Sequence, residues 1–245
     1  MVGAAIYAEL AEADALSRLA GVLNHRGASN LRIETFRMQD WLQGYRDAVR
    51  PFAVGDRWWI DPHPDEPSRA PADRRRLVIE PRMAFGSGSH ESTRLMLMAL
   101  EGLEVAGADV LDVGTGSGIL ALAAESLGAR RVVALDIDET AIWVARQICA
   151  QQEWSPLVQF FLGPLTCIGA AQFQVVLCNM ISSNFQPLLD EMSRVLAADG
   201  HIILAGLLAA EIDAVTGALS SAGLETRGRR VLGEWASLSA TAADR

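Results

Sequence analysis

The chain has 245 residues, enough for one large domain with a small appendage, because single hydrophobic cores seldom outgrow about 250 residues. Half of the residues are hydrophobic and the net charge is −9, which excludes a disordered chain and argues against binding a nucleic-acid backbone by bulk electrostatics. All 21 basic residues are arginine, so chemistry that needs a Schiff-base lysine or a P-loop lysine is excluded.

Cysteine spacing and the length of apolar runs exclude further classes of protein. The three cysteines are never spaced as C-x-x-C, which indicates neither a disulfide framework nor a zinc site, and we expect no bound metal. The longest candidate membrane stretch, residues 202–210, is about half the ~20 residues that a bilayer span needs. The chain does not begin with the basic start and apolar run of a secretory signal, so we expect a cytoplasmic protein that binds neither membrane nor nucleic acid.

Composition predicts a short N-terminal region and linker over residues 1–80, ahead of a domain spanning residues 81–245. An alanine-rich helical pattern runs from about Ala4 to Asn24, and prolines concentrate between residues 51 and 76. We interpret the latter segment as an extended, turn-rich connector. Its run Arg74 to Arg76 is typical of a solvated linker, although guiding an acidic partner is an alternative.

After residue 80, short apolar runs alternate with helical patterns. The predicted strands are Val110–Val113, Val132–Asp136, Leu157–Leu162, Phe173–Cys178, His201–Leu207, Leu224–Leu232 and Trp235–Ala240. Buried strands that alternate with helices indicate right-handed crossovers and a parallel sheet covered on both faces. The last two runs are too close for a helix between them, so they predict an antiparallel hairpin at one edge. The expected fold is a doubly wound, Rossmann-like α/β fold with seven mostly parallel strands and a short N-terminal helical and linker extension.

A glycine-rich turn, Asp112 to Gly118, follows the first of these strands and opens a predicted helix. Glycines at 114, 116 and 118 allow positive φ and let the backbone approach a ligand, and ligands of α/β sheets bind at the carboxyl ends of strands. The dinucleotide fingerprint would need a glycine where Ile119 stands, so a nicotinamide site is not indicated. The remaining acid-x-G-x-G-x-G pattern resembles the first motif of methyltransferases that use S-adenosylmethionine (SAM); a purely structural turn is the alternative.

A second acid strengthens this interpretation. Asp136 ends the next predicted strand, where a carboxylate can accept hydrogen bonds from both hydroxyls of a ribose. Capping of the following helix is the alternative role, but Asp138 is better placed for it. Ser117 and Gly118 open the helix after the glycine turn, so the positive helix end would face the carboxylate of the methionine half of SAM.

Two further segments complete a resemblance to a known family. Met83 to Thr93 precedes the first strand of the domain, and Asn179 follows the strand that ends at Cys178. Together with the Asp112 and Asp136 motifs, these segments resemble the bacterial ribosomal-protein methyltransferase family (PrmA), class I SAM-dependent enzymes that methylate amino groups of the eleventh large-subunit ribosomal protein. The resemblance covers roughly residues 36–242.

The resemblance implies SAM (S-adenosyl-L-methionine) as cofactor and protein methylation as activity. The expected cofactor-binding residues are Phe85, Gly86, Thr93, Asp112, Gly114, Gly116, Gly118, Asp136, Ile137 and Asn179. Asn179, beside the transferred methyl group, is also the expected catalytic residue.

Departures from the family leave the acceptor open. Ser87, Ser89 and Ser92 stand where the family usually has threonine or another small residue, and Gln174 replaces an aspartate. The residues before Trp41 are too few for the family's ferredoxin-like substrate domain, so we expect poor methylation of that ribosomal protein. The expected partner is therefore a protein substrate, with a ribosomal protein among the candidates. The alternative is a small molecule, methylated by an N- or O-methyltransferase with the same core. A SAM-binding regulatory module is a third alternative. Asn179 argues against it, because a module that only binds SAM needs no methyl-acceptor site.

Two other motifs have both a structural and a functional interpretation. His90 is expected to pack in its loop, with a role as catalytic base the alternative. Trp58 and Trp59 are expected in the core, with a wall lining the substrate entrance the alternative.

Overall fold

The computed structural model describes residues 22, 48–65, 68–82, 86–154, 156–170 and 172–243. The predicted helix Ala4–Asn24, apart from Val22, and the loop residues Met83 to Phe85 therefore lie outside the described residues. Leu42–Arg245 form one compact unit, and the description below concerns that unit. No helix in the described ranges is long and apolar enough to cross a membrane.

The proline-rich linker forms a three-stranded sheet in which β1 (Phe52–Val54) pairs antiparallel with β2 (Trp58–Asp61), and β2 pairs parallel with β3 (Arg75–Val78). Trp58 is fully buried in the same hydrophobic core as the helices that follow, and its indole Nε1 donates to Leu97 O at 3.2 Å. The interpretation of Trp58 as core is thus confirmed, and its alternative role as a wall of the substrate entrance is wrong. The domain boundary near residue 80 stays a prediction.

Arg74 and Arg76 are structural, which corrects the expectation of a solvated linker for these two side chains. The Arg76 side chain is 9% exposed and donates from Nε to the fully buried Asp61 carboxylate at 2.9 Å. Arg74 donates to the carbonyl oxygens of Gly55 and Trp58 at 2.7 and 3.1 Å. These arginines satisfy buried acceptors within the linker sheet.

The main sheet has seven strands in the order β6-β5-β4-β7-β8-β10-β9. The strands are β4 (Asp109–Val113), β5 (Arg131–Asp136), β6 (Val158–Leu162), β7 (Phe173–Asn179), β8 (Leu196–Leu208), β9 (Leu224–Leu232) and β10 (Trp235–Ala242). Strands β4 to β8 are parallel, and β10 runs antiparallel between β8 and β9. The predicted mostly parallel sheet and its terminal hairpin are confirmed, with β9 at the edge.

The helices cover both faces of this sheet. They are α1 (Glu91–Leu100), α2 (Ile119–Ser126), α3 (Glu139–Ala150), α4 (Ser182–Phe185), α5 (Leu189–Val195) and α6 (Ile212–Ser221). His90 caps the N-terminus of α1, since its side chain accepts from Ser92 N, and Asp138 caps the N-terminus of α3 by accepting from Thr140 N. Alanine-rich α2 is buried over its first six residues, which lets it pack closely against the sheet.

Two hydrophobic clusters hold the layers together. One contains Trp58, the apolar side of α1, all of the buried part of α2 and Val144 and Ile148 of α3. The other lies among β7, β8, α5 and α6. Every residue of β4 is buried between them. The central strands are therefore rigidly placed, and their carboxyl ends meet at one edge of the sheet.

Candidate active site

The predicted site residues follow the ends of adjacent strands. Asp112 of β4 is in register with Leu177 of β7, and Asn179 at the end of β7 is in register with Ala205 of β8. On the other side of β4, Asp136 ends β5. The glycine turn after β4 thus lies between the Asp136 strand and the Asn179 strand, which brings the sequence motifs together.

Backbone amides of the glycine turn donate hydrogen bonds to β5. The amides of Gly114 and Thr115 both donate to Leu135 O, at 2.9 and 3.0 Å. The next amide, of Gly116, donates to Asp136 Oδ2 at 3.0 Å, and Gly116 adopts a positive φ of 54°. This conformation favours glycine and leaves the ligand side of the turn without a β-carbon.

Gly118 lets the helix after the turn begin close to α3. Its φ is 82°, and a β-carbon there would lie 3.2 Å from Ala145 Cβ. Gly118 N donates to Thr115 O at 2.9 Å, which closes the turn, and Ile119 then starts α2. Gly118 therefore acts on the site by shaping the turn and the start of α2.

Asp136 is free of the capping role. Asp138 Oδ1 accepts from Thr140 N at 2.8 Å and caps α3, as the sequence predicted. The Asp136 carboxylate accepts from Asp138 N at 3.1 Å and from Gly116 N, one bond to each oxygen. Each oxygen keeps a second lone pair, so both hydroxyls of a ribose can still donate to it. The neighbouring Ile137 is 78% exposed and offers an apolar surface beside the carboxylate.

Asp112 lies beneath the turn and is 1% exposed. Its Oδ2 accepts from Thr115 Oγ1 at 2.7 Å. Burial raises the pKa of Asp112 to about 7; the hydrogen bonds from Thr115 and from the Ala121 backbone oppose this shift, and the charge of Asp136 adds to it. In this structure Asp112 stabilises the glycine turn through its hydrogen bond from Thr115. Its contact with the cofactor stays a prediction.

Asn179 is oriented by a residue that is far away in the sequence. Asn179 Nδ2 donates to Thr93 Oγ1 at 3.2 Å, and Thr93 is fully buried on α1. The other amide atom, Oδ1, is buried and accepts no hydrogen bond within the described residues. A buried carbonyl without a donor is costly, so this atom is suited to an N–H or O–H group of a ligand.

The loop before α1 is tied to the glycine turn. Ser117 Oγ donates to Gly86 O at 2.7 Å, and Gly86 adopts a φ of 107°. A β-carbon at Gly86 would lie 2.6 Å from that hydroxyl oxygen, so glycine is required for this close approach. The loop and the glycine turn are thus in contact at Gly86 and Ser117. Phe85 lies outside the described residues, and its contact with the cofactor stays a prediction.

Gly206, Met180 and Trp235 belong to the site region but were missed by the sequence interpretation. Gly206 has a φ of 87° within β8, and a β-carbon there would overlap the Met180 carbonyl oxygen. An isolated glycine inside a strand pattern is the signal that could have revealed this approach.

Trp235 stacks edge-on against His90 with ring centroids 4.8 Å apart, which confirms the packing interpretation of His90.

Comparison with known proteins identifies the family. The family described as ribosomal protein L11 methyltransferase (PrmA) matches residues 2–243, beyond the segments that carried the resemblance. The chain belongs to this family. It is accordingly a SAM-dependent methyltransferase of class I.

Individual relatives agree with this assignment. The "Ribosomal protein L11 methyltransferase" of Geobacter metallireducens is 42% identical over 208 residues, which are 84% of this chain and 67% of the relative. That of Pelobacter propionicus is 38% identical over 230 residues, covering 91% and 73%. The crystal structure of a "ribosomal protein L11 methylase" from Lactobacillus delbrueckii subsp. bulgaricus shares the fold, with a TM-score of 0.74, 24% identity and coverage of 80% of this chain and all of that one.

The residues present fit SAM. The unpartnered Asn179 Oδ1, the open lone pairs of Asp136 and the exposed Ile137 surround the ends of β5 and β7 with the acceptors and the apolar surface that a nucleoside and an amino acid need. When bound, SAM supplies a methyl group activated by a sulfonium. Among the described residues, no cluster of histidine, cysteine or acidic side chains could hold a metal ion.

Proposed function

We propose that the enzyme transfers methyl groups from SAM to amino groups of a protein, and that this protein is ribosomal protein L11. Support comes from relatives that match more than four fifths of this chain and are named for that activity. On this chain, the observation that carries the proposal is the buried Oδ1 of Asn179, which can accept one N–H of an uncharged amine while the nitrogen lone pair points at the methyl group.

Catalysis would consist mainly of holding a deprotonated amine in line with the methyl–sulfur bond. The amine forms the new carbon–nitrogen bond, the sulfur leaves with the electron pair of the old one, and the spare proton passes to water. Proximity and orientation contribute several kcal/mol to such a displacement. A free amine has a pKa near 10, which burial against apolar side chains lowers, so no base on the enzyme is needed.

An amine fits these residues better than a hydroxyl. A hydroxyl nucleophile needs a base to remove its proton during transfer. His90 is engaged in capping α1 and in stacking on Trp235, and Asp112 is buried under the glycine turn. Neither side chain is placed to serve an incoming hydroxyl, which favours nitrogen as the acceptor atom.

The sequence led us to expect poor methylation of L11 because of the short segment ahead of Trp41. The family match begins at residue 2 and includes that segment, so we now propose L11 as the acceptor.

The test is incubation of the purified chain with labelled SAM and purified L11, followed by mass spectrometry of the protein. We expect methylated L11, and no label on L11 whose amino groups were acetylated beforehand. Asn179→Ala serves as the control with strongly reduced activity. A parallel incubation uses a cell extract in place of L11. Label that enters only small molecules of that extract, with none on purified L11, would instead favour the small-molecule alternative.

A further inference from the structure

We propose that Glu211 is a positioning residue that fixes the acceptor side of the site by joining the segment after β7 to the end of β8. The inference rests on the proposed function, since it concerns the path by which the acceptor reaches Asn179. Glu211 itself lies outside every motif that the sequence interpretation used.

Both oxygens of the Glu211 carboxylate are engaged. Ser182 Oγ donates to Oε1 at 2.6 Å, and Leu208 N donates to Oε2 at 2.7 Å. Ser182 is 7% exposed and begins α4 three residues after Asn179, while Leu208 is the last residue of β8. One side chain therefore links the two segments that leave the sheet beside the catalytic asparagine.

The carboxylate accepts from both partners at once, with one donor to each oxygen. Glutamine could keep both contacts only as neutral hydrogen bonds, by accepting from Leu208 N and donating from Nε2 to Ser182 Oγ. The hydrogen bonds from Ser182 and then from Leu208 hold the pKa of Glu211 below its ordinary value. The group therefore remains charged at neutral pH, and both hydrogen bonds are charge-assisted.

The joined segments carry two exposed apolar side chains. Ile181 is 55% exposed and Leu208 is 42% exposed. Ile181 precedes Ser182, whose hydroxyl binds Glu211, and the Leu208 amide binds Glu211 directly. The same segments also meet at Gly206, where a β-carbon would overlap Met180 O and lie 3.2 Å from Ile181 N. We name Ile181 and Leu208 the acceptor rim. Its apolar surface would displace water from an incoming amine and so favour the neutral form.

The experiment compares the variants Glu211→Gln, Glu211→Ala and Ser182→Ala, each made in the whole 245-residue chain, with the wild type. Acceptor KM and kcat are measured on L11, SAM Kd is measured by calorimetry, and hydrogen exchange follows the Leu208 amide. Glu225→Gln is the matched control, because Glu225 is an exposed acid of β9 that pairs with Arg227 at 2.7 Å.

We expect kcat/KM for the acceptor to fall about threefold in Glu211→Gln and about tenfold in Glu211→Ala, mainly through KM, with SAM Kd within about twofold. Ser182→Ala should resemble Glu211→Gln, and the double variant Ser182→Ala, Glu211→Ala should be no worse than Glu211→Ala alone, because the same hydrogen bond is removed twice. Exchange of the Leu208 amide should quicken in both Glu211 variants. Glu225→Gln should match the wild type in every measurement.

Two results would overturn the inference. Unchanged exchange at Leu208 in Glu211→Ala would show that the link is absent in solution. Faster exchange with unchanged acceptor KM would show that the link exists but does not position the acceptor. If the wild type leaves L11 unmethylated, the proposed function fails by itself; the exchange measurement still decides whether Glu211 joins the two segments.

Discussion

The Gly116 amide donates a 3.0 Å hydrogen bond to Asp136 Oδ2, which couples the glycine turn after β4 to the acid at the end of β5. The two sequence motifs are therefore one structural unit. We expect a change at Asp136 to act on a bound nucleoside in two ways, because its carboxylate is the predicted acceptor of the ribose hydroxyls and also holds the backbone of the turn.

Asp136→Ala should weaken SAM binding by on the order of 2–4 kcal/mol, because charge-assisted hydrogen bonds are lost. Calorimetric titration with SAM measures the loss. Asp138→Ala is the control: removal of the α3 cap should cost about 1 kcal/mol of folding free energy but leave SAM affinity nearly unchanged. Equal SAM affinity in the Asp136 variant and the wild type would contradict the ribose assignment.

Asn179→Ala should lower turnover on the order of 100-fold while SAM affinity falls only a few-fold, because the lost carbonyl matters mainly when the acceptor is aligned. Steady-state kinetics on the methyl acceptor and SAM calorimetry separate the two effects. Similar losses in turnover and SAM binding would make Asn179 a cofactor contact only.

Thr93 should influence turnover through Asn179. Thr93→Val keeps the shape of the buried side chain but removes the oxygen that accepts from Asn179 Nδ2, so we expect a fall in kcat of about tenfold. Thr93→Ser keeps that oxygen and should restore most of the rate. Equal activity of the valine and serine variants would show that the contact does not orient the amide.

The pKa of Asp112 predicts a specific pH dependence of stability. Since the pKa of Asp112 is about 7 in the folded protein, against its ordinary value of 3.8, the folded state binds an extra proton between these two pH values. The Asp112 contribution to stability is therefore greatest at low pH and falls as pH rises from about 4 to about 7. Above pH 7 the buried charge destabilises the fold by up to about 4 kcal/mol.

Asp112→Asn removes this titration. The free energy of unfolding should therefore fall more in the wild type than in the variant when the pH rises from 5 to 8. Urea unfolding of both proteins at the two pH values provides the comparison. The asparagine carbonyl can still accept from Thr115 Oγ1, which keeps the turn in place. The same pH difference in both proteins would mean that Asp112 is charged over the whole range.

The sequence predicted the parts of the fold that local pattern determines. Alternation of apolar runs with helices gave the parallel strands, and a connection of two residues required the β9–β10 hairpin. The sheet of the linker was not predicted, because its three- and four-residue strands are stabilised by tertiary packing, such as the burial of Trp58.

The placement of the predicted site residues could be predicted to the same extent. The acids and glycines that follow strands can be recognised from the local sequence. Because the carboxyl ends of parallel strands lie at one edge of a sheet, these residues were expected to lie near one another. The orientation of Asn179 by Thr93 was not predictable, since these residues are 86 positions apart and meet only when α1 packs on the sheet. Likewise, nothing local marks Glu211 as the partner of Ser182, 29 positions away.

The ion pair of Arg76 with Asp61 allows a final prediction, on whether the linker sheet unfolds together with the methyltransferase sheet. Asp61 is fully buried, and burial alone would raise its pKa; hydrogen bonds from Ser68, from the His63 backbone and from Arg76 instead hold the pKa of Asp61 below its ordinary value. Its charge is thus retained, and the removal of Arg76 would leave that charge without its cation.

Arg76→Met should lower the free energy of unfolding by about 3 kcal/mol, because one partner of a buried ion pair is lost. Arg75→Met, at the exposed neighbouring position, is the control and should change stability by less than about 0.5 kcal/mol. Since Trp58 lies in the core shared with α1 and α2, tryptophan fluorescence and far-ultraviolet circular dichroism should report the same urea transition in both variants. An earlier fluorescence transition confined to Arg76→Met would show instead that residues 52–78 unfold independently of the seven-stranded sheet.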